Sequence, residues 1–267
     1  MMQAPGSPLQ IVQITDTHLY AQADGRLLGL DTSHSLREVI GLLRGRHDPE
    51  LVVATGDLAH DGTVAAYARL REHLGAFEKP VYCLPGNHDE SRVLDSELGQ
   101  PPFHRCRSLL TGGWQMVFLD SSVPGSDNGH LSARELAGLD QVLAAAPDRP
   151  ALVWLHHQPL PVGSLWLDTM AVDNGDEFFA VIDRHPQVRA VVWGHVHQVF
   201  EQRRDDVRLL SAPSTCIQFT PRSEDFSIDL VPPGYRWFEL HPDGRFETGV
   251  ERLAEIPGEI DLSLRGY

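Results

Sequence analysis

The sequence predicts a layered α/β fold, because short buried strands alternate with helices and most strands end in polar residues. Six apolar runs of four to six residues show no regular polar alternation, which is typical of strands covered on both faces of a sheet. These runs are residues 9–14, 51–54, 80–84, 116–119, 151–155 and 190–193.

Helical patterns lie between these runs. Residues 35–43 place their apolar side chains on one helical face. Ser132 is followed three residues later by Glu135 and then by an apolar repeat, which indicates a capping box at the start of a helix. A third helix is expected over residues 63–74.

The C-terminal part, from about residue 209 to 267, has a different character. Residues 235–240 and 245–250 flank a turn that contains Asp243 and Gly244, and this pattern predicts an antiparallel hairpin. Residues 221–234 are polar and contain prolines, so we expect a loop over the surface or the mouth of a site. Because there is no repeat or clear linker, we expect one domain over residues 1–267, with residues 1–8 as a tail.

The composition is that of a soluble globular protein, with 42% hydrophobic and 22% charged residues. Asp and Glu outnumber Lys and Arg by 37 to 22, so the formal net charge is −15. Binding to nucleic acid polymers or anionic membranes depends on an excess of Lys and Arg. Neither is therefore an expected partner, and an anionic substrate would need bound cations to attract it.

Several features indicate a cytoplasmic protein. The first ten residues contain neither a basic segment nor an apolar run, so we expect no signal peptide. No apolar run approaches the roughly 20 residues of a membrane span. The three cysteines, Cys83, Cys106 and Cys216, are odd in number and widely spaced, which favours free thiols in a reducing compartment. Cys83 lies in an apolar run, and we expect it to be a core residue.

Polar side chains that can bind metals follow five of the apolar runs. In open α/β sheets the loops after the strands converge over one crevice, so we expect these side chains to lie together. Glycine precedes three of them and allows sharp turns and close approach. The seven candidate ligands are Asp16, His18, Asp57, Asn87, His156, His195 and His197.

Seven candidate ligands predict two metal ions. Carboxylate, amide and imidazole donors without a thiolate suit manganese, iron, zinc or cobalt. One metal needs only three or four protein ligands, whereas hydrolysis at phosphorus commonly uses two metals about 3.5–4 Å apart. Asp16 and His18 are two residues apart, as are His195 and His197, and on an extended segment each pair would share a face.

These blocks resemble a known family in their order and spacing. Asp16-x-His18, Gly56-Asp57, Gly86-Asn87-His88-Asp89, His156 and Gly194-His195-x-His197 are similar to the blocks of the calcineurin-like metallophosphoesterases. Within that family the chain looks most like the class III cyclic-nucleotide phosphodiesterases, and especially the bacterial cyclic-AMP enzymes. The likeness covers roughly residues 9 to 250. It implies an α-β-β-α sandwich with the metal site at the carboxyl ends of the strands.

The resemblance also implies a role for each residue. Asp57 would bridge the two metals, of which iron and manganese are expected and zinc or cobalt are alternatives. A hydroxide that bridges the metals would attack 3',5'-cyclic AMP and give AMP. His88 would act as general acid, and substrate would also touch Asn87 and His197. The first metal would be held by Asp16, His18, Asp57 and His197, and the second by Asp57, Asn87, His156 and His195.

General chemistry supports the role of an acid. A sugar alkoxide is a poor leaving group, and an imidazole with an ordinary pKa near ~6.5 can protonate it. Asp89 follows His88 and either orients it or caps backbone N–H groups. His157 either contacts substrate or supports a ligand. Trp166 either stacks on a base or packs in the core or an oligomer contact.

Three functions remain open at this point. The leading hypothesis is a cyclic-AMP phosphodiesterase acting on a small molecule. The second is a hydrolase of another small phosphodiester, such as a glycerophosphodiester, since the metal residues do not distinguish the two. The third is a non-catalytic scaffold, which the complete set of ligands and His88 disfavours. Formation of a homo-oligomer is also open. We expect surface positions for the remaining histidines: His34, His47, His60, His73, His104, His130, His185 and His241.

Overall fold

The computed structural model describes residues 7–264 and residue 266. Its strands in chain order are β1 (Leu9–Ile14), β2 (Arg26–Leu27), β3 (Leu30–Asp31), β4 (Leu51–Thr55), β5 (Val81–Leu84), β6 (Phe103–His104), β7 (Ser108–Thr111), β8 (Trp114–Phe118), β9 (Ala151–Trp154), β10 (Val188–Trp193), β11 (Glu201–Arg204), β12 (Val207–Ser211), β13 (Gln218–Phe219), β14 (Ile228–Asp229), β15 (Gly234–Leu240) and β16 (Phe246–Arg252). Its helices are α1 (Thr32–Arg46), α2 (Val64–Gly75), α3 (Ser91–Leu98), α4 (Ala133–Ala144), α5 (Leu165–Asp168) and α6 (Gly175–Ile182).

Two six-stranded sheets form the centre of the molecule. The first has the order β16-β15-β1-β4-β5-β6, and the second has the order β11-β12-β10-β9-β8-β7. Strands β1, β4, β5 and β6 are parallel to one another, as are β8, β9, β10 and β12. The carboxyl ends of the parallel strands of one sheet therefore lie at a common edge, where loops can converge.

Three apolar layers hold the sheets and helices together. Along β4, Val52 and Ala54 pack with α1, α2 and α3 on the outer face of the first sheet. Their neighbours Leu51 and Val53 pack against side chains of the second sheet. Residues of α4, α5 and α6 cover the outer face of the second sheet. The order of layers is therefore α-β-β-α, which confirms the expected fold.

The predicted strands and helices are present, with small shifts of their ends. Ser132 is the N-cap of α4, and its hydroxyl accepts a hydrogen bond from the backbone N–H of Glu135 at 3.2 Å. The side chain of Glu135 does not close the capping box as expected, because it pairs with Arg107 instead. Helices α3, α5 and α6 were not predicted; they have only eight, four and eight residues, respectively.

The C-terminal hairpin joins the first sheet beside the first strand. Strands β15 and β16 pair antiparallel on either side of the expected turn, which confirms the hairpin. Strand β15 also pairs with β1, and Leu240 lies opposite Leu9. Cys83 is buried in the core as expected, and all three cysteines are free thiols. Among the described residues, no helix has both the length and the apolar character needed to cross a membrane.

Candidate metal centre and active site

The seven candidate ligands and His88 lie together where the two sheets meet. They follow β1, β4 and β5 of the first sheet and β9 and β10 of the second sheet. Six of the candidate ligands are fully buried, whereas Asn87 and His88 are half-buried. The candidate ligands are therefore enclosed by protein on most sides, and the loop after β5 forms the side that solvent can reach.

The backbone at this edge is unusual, because five of the candidate ligands have left-handed conformations. Non-glycine residues rarely adopt positive φ, and such positions concentrate at functional sites. The extended geometry that we expected for the Asp16/His18 and His195/His197 pairs is therefore wrong, although each pair still faces the cluster. The φ angles are 53° at Asp16, 43° at His18, 50° at Asp57, 62° at His195 and 44° at His197.

Two glycines allow the loops to approach one another. A Cβ atom at Gly86 would lie 2.1 Å from the Oδ1 atom of Asp57, and one at Gly194 would lie 2.1 Å from the hydroxyl of Thr15. Both distances are far shorter than any side chain tolerates, so these positions require glycine. The close approach expected from the sequence is thus confirmed at these two glycines.

Hydrogen bonds join the loops across and between the sheets. The N–H groups of Asp16 and His18 donate to the carbonyls of Gly56 and Asp57, at 3.0 and 2.9 Å. The N–H of His195, from the second sheet, donates to both carboxylate oxygens of Asp16 at 3.1 Å. The relative placement of the ligands is therefore set by backbone as well as by side-chain packing.

Three histidines direct one ring nitrogen into the cluster. Nδ1 of His156 donates to the carbonyl of Thr55 at 2.8 Å, and Nδ1 of His197 donates to the carbonyl of Ile217 at 2.9 Å. Nδ1 of His18 contacts His60 at 3.2 Å. Metal-binding histidines commonly hold their outer nitrogen in this way, which orients the inner Nε2 atom.

The inner atoms of the first group of ligands face one another at short distances. The Nε2 atoms of His18 and His197 are 3.2 Å apart, and Nε2 of His197 lies 3.4 Å from Oδ1 of Asp16. In the neutral ring of His197, Nε2 presents a lone pair to the cluster, since Nδ1 donates outward to the carbonyl of Ile217. Such converging acceptors fit a bound cation between them.

A second group of inner atoms surrounds the carboxylate of Asp57. Its Oδ2 atom lies 3.4 Å from Nε2 of His156 and 3.7 Å from Nε2 of His18. The amide oxygen of Asn87 lies 3.2 Å from the same nitrogen of His156. Neither ring nitrogen of His195 has a hydrogen-bond partner among the described residues. Buried imidazoles without partners are costly, and a metal ion would satisfy them.

The geometry gives overlapping sets of ligand atoms within 4.8 Å of one another. One set contains Asp16, His18 and His197, and another contains Asp16, Asp57 and His156. A third set contains His156, His157 and His195. Oxygen and nitrogen donors in overlapping sets fit a dinuclear site better than a single metal.

Burial and mutual charge set the pKa values in the cluster. Burial holds the pKa of His18 and that of His195 well below the ordinary value, which favours the neutral, ligand-competent form. Burial alone would raise the pKa of Asp57, but His156 and His88 hold it well below its usual range. Burial opposes charging of His156, yet Asp57 raises the pKa of His156 to about 9. A cation bound there would replace this proton.

His157 and Asp89 occupy supporting positions. His157 is fully buried, and its Nδ1 atom contacts the hydroxyl of Ser121 at 2.9 Å. Its ring lies against those of His156 and His195, which favours support of a ligand over contact with substrate. The carboxylate of Asp89 accepts backbone N–H groups, which is the second of the two roles considered for it.

His60 is a site residue that the sequence analysis missed, because we expected it on the surface. It is half-buried, and its ring stacks on that of His88 with centroids 4.5 Å apart. Burial, and then the charge of His88, lower the pKa of His60 to about 4. The sequence feature that could have identified His60 is its position three residues after Asp57, in the loop that carries this ligand to the crevice. His185 is also buried, and it contacts Asp140 at 2.8 Å.

Residues outside the metal-binding blocks hold nearby loops in place. The hydroxyl of Ser214 donates to the carbonyl of Asp16 at 2.8 Å. The carboxylate of Asp168 accepts the N–H groups of Val162 and Gly163, at 2.7 and 3.0 Å. The contact of Ser214 thus joins the segment after β12 to the loop that carries Asp16.

The family model of the calcineurin-like phosphoesterases matches residues 9–199, which include every candidate ligand. The chain belongs to this family. The 3',5'-cyclic adenosine monophosphate phosphodiesterase CpdA of Pseudomonas aeruginosa is 39% identical over 266 residues, 99% of this chain and 97% of that protein. The protein of the same name from Escherichia coli strain K12 is 41% identical over 261 residues, 97% of this chain and 95% of that protein.

A solved structure shows the same fold at low sequence identity. A dimetal phosphatase from Danio rerio superposes with a TM-score of 0.66 and 16% identity, over 92% of this chain and 99% of that one. Two proteins with little sequence in common thus share this fold.

Proposed function

We propose that this protein is a phosphodiesterase that hydrolyses 3',5'-cyclic AMP to AMP with the help of two divalent metal ions. The observation that carries the proposal is the cluster of buried carboxylate, amide and imidazole groups with His88 at its open side. Near full-length similarity to two proteins named cyclic-AMP phosphodiesterase supports the choice of substrate.

The proposed ligands divide between two metals and share one carboxylate. Divalent cations bound there would neutralise the charge of a phosphodiester and lower the pKa of a water molecule towards neutrality. Iron or manganese suits these donors, and zinc or cobalt is an alternative. Asp57 would serve both metals. The first would also have Asp16, His18 and His197, and the second Asn87, His156 and His195.

The proposed acid is His88. Its backbone N–H donates to Oδ1 of Asp57 at 3.0 Å, which holds it next to the cluster. Its ring is supported by His60 on one face and meets His18 edge-on at 4.9 Å. From this position the imidazole would protonate the alkoxide that leaves phosphorus. Asn87, His88 and His197 would contact the phosphate group.

The proposed setting is the cytoplasm, with a small cyclic nucleotide as the partner. All three cysteines are free thiols, as in a reducing compartment. The net charge of −15 disfavours a nucleic acid polymer as the substrate.

The proposal is tested by turnover of cyclic AMP with metal-free protein reconstituted with manganese or iron. Bis(p-nitrophenyl) phosphate is assayed in parallel, and AMP is identified as the product. The variant Asp57→Asn should be inactive on both substrates. Asp140→Asn makes the same change at a half-exposed carboxylate that pairs with Arg184 and His185, and it should keep full activity.

Each result has a definite meaning. Hydrolysis of both substrates supports the proposal. Cleavage of the activated ester alone would retain the metal chemistry but assign the protein to another small phosphodiester. No cleavage of either substrate would contradict the proposal and favour a scaffold.

A further inference from the structure

An aromatic cavity of about 180 Å³ lies on one side of Asn87 and His88. Its apolar walls are Trp166, Met170 and Phe226, and the carboxylate-bearing residue Asp127 also lines it. The metal centre and the described supporting contacts do not use these four side chains. The cavity is therefore a separate compartment that opens next to the proposed acid.

A second cavity, of about 410 Å³, is also lined by Asn87 and His88. It is lined by the loop around His60 and by acidic residues, including Asp61 and Glu90. The apolar residues of this second cavity are Val123 and Pro124, whereas the first cavity has the larger indole and phenyl rings of Trp166 and Phe226, on which a flat aromatic ring stacks best. The two cavities thus differ in the chemistry that each can hold.

The walls of the aromatic cavity are held in place by several contacts. The indole N–H of Trp166 donates to the hydroxyl of Ser223 at 3.2 Å. The Trp166 ring meets Phe226 with centroids 5.2 Å apart and Phe219 with centroids 4.9 Å apart. Phe219 in turn stacks on His197 with centroids 4.3 Å apart. The indole is therefore fixed relative to the metal centre before any substrate binds.

Size and charge limit what the cavity can take. Sites for a whole drug-sized ligand are commonly about 300–1,000 Å³, so this smaller cavity suits one ring system rather than a complete nucleotide. The carboxylate of Asp127 would repel a phosphate, and it can accept a hydrogen bond from an amino group. The occupant is therefore an uncharged, flat, polar-edged ring attached to a phosphate bound at the metals.

We propose that Trp166 and Phe226 form the nucleobase subsite of this protein and bind the purine of its nucleotide substrate. This inference rests on the proposed function, because it takes the phosphate of the same molecule to lie at the metal centre. Trp166 supplies the flat surface, while Phe226, whose ring meets that of Trp166 at 72°, and Met170 form the adjoining walls of the cavity. Affinity for the base thus comes from stacking, while the metals bind only the phosphate.

The test uses binding rather than turnover. AMP and ribose 5-phosphate carry the same phosphate, but only AMP has a base, so the ratio of their dissociation constants isolates the base. Both are titrated calorimetrically into manganese-loaded protein. For Trp166→Leu we expect Kd for AMP to rise about tenfold, since stacking on an aromatic side chain has an effect of that order. The Kd for ribose 5-phosphate should stay unchanged, and Trp166→Phe should keep most of the affinity for AMP.

Two further variants keep the test decisive. Trp237→Leu changes a half-buried tryptophan that stacks on His47 in the outer part of the first sheet, and it should bind AMP like the parent. If Trp166→Leu does not fold, Phe226→Leu is used, and a severalfold rise in Kd for AMP alone is expected. An unchanged Kd for AMP overturns the proposal. Equal losses for AMP and ribose 5-phosphate also overturn it, because they indicate damage to the metal centre through Phe219.

The outcome is distinguishable from failure of the proposed function. If the parent protein does not hydrolyse cyclic AMP but binds AMP tightly through Trp166, the subsite stands and only the reaction has to be revised. If it hydrolyses cyclic AMP and Trp166→Leu leaves AMP binding intact, the reaction stands and the base binds elsewhere. The cavity that contains His60 is then the alternative location.

Discussion

Asn87 and His88 are the members of the predicted site that reach its open side, since the other candidate ligands are fully buried. Asn87 faces inward through its amide oxygen, which contacts His156. His88 has its ring between His60 and His18. These contacts give the two adjacent residues different proposed tasks, with Asn87 at the metals and His88 at the leaving group.

The role of His88 predicts a dependence on the leaving group. His88→Ala should slow hydrolysis of cyclic AMP by about 10²–10⁴-fold, as is common when a general acid is lost. It should slow hydrolysis of bis(p-nitrophenyl) phosphate far less, because nitrophenolate leaves without a proton. His130→Ala changes an exposed histidine that pairs with Asp173 and serves as the control. Equal losses on the two substrates would count against His88 as the acid.

At the scale of elements, the loops after β4 and β5 are joined by one carboxylate. Oδ2 of Asp89 accepts the N–H groups of Leu58 and Gly86, at 3.1 and 2.9 Å. Oδ1 accepts the N–H of Ala59 at 3.0 Å and the hydroxyl of Tyr67 at 2.9 Å. Four donors thus share two oxygens. We call these four hydrogen bonds the Asp89 clamp. The clamp fixes the loop that carries Asp57 against the loop that carries Asn87 and His88.

This clamp predicts a measurable loss of stability. Asp89→Asn replaces one acceptor oxygen by a donor, so two of the four donors lose their partner. The free energy of unfolding should fall by about 1–3 kcal/mol, the cost of leaving a buried group without its hydrogen bond. Tyr67→Phe removes one of these four bonds and also the acceptor of the Glu90 N–H, and each lost bond should cost about 1 kcal/mol. Urea denaturation followed by circular dichroism measures both, and a parent-like midpoint for Asp89→Asn would refute the clamp.

At the scale of the whole molecule, the two sheets must meet for the site to exist. The ligands on the first sheet precede those on the second by up to about 180 residues, and His195 binds the carboxylate of Asp16 across that separation. We propose that the chain is a single domain, since the C-terminal strand β15 also pairs along β1. Opening either sheet would therefore dismantle the metal centre.

The same arrangement predicts that metals stabilise the fold. A ligand that binds only the native state contributes about 2.7 kcal/mol at a free concentration 100 times its Kd. For a chain of this size each kcal/mol raises Tm by about 2–4 °C. Adding manganese to metal-free protein should therefore raise Tm by roughly 5–10 °C for one site, measured by differential scanning calorimetry.

Two variants serve as controls for this measurement. Asp57→Asn removes the shared carboxylate and should show little response to manganese. Asp140→Asn, on the exposed surface of α4, should respond like the parent. A parent protein whose Tm does not change with manganese would speak against a metal centre at this site.

Sequence alone predicted six strands of the two central sheets, the C-terminal hairpin, three helices and the candidate ligands. Buried strands read as uninterrupted apolar runs, and the ligands were evident because polar groups follow those runs at once. The parallel order of strands then requires that the residues after them share one edge. Such sequence patterns can be recognised before the fold is known, because each involves residues that are close together in the sequence.

Only the tertiary structure decided how those residues meet. The left-handed backbone at Asp16, His18, Asp57, His195 and His197 is stabilised by bonds between loops and has no local sequence signal. The place of His60 beside His88, and the joining of Trp166 with Phe226 in one cavity, depend on how loops from distant parts of the chain pack. The sequence therefore determines which groups are available for chemistry, whereas long-range packing determines their distances and the shape of the pocket beside them.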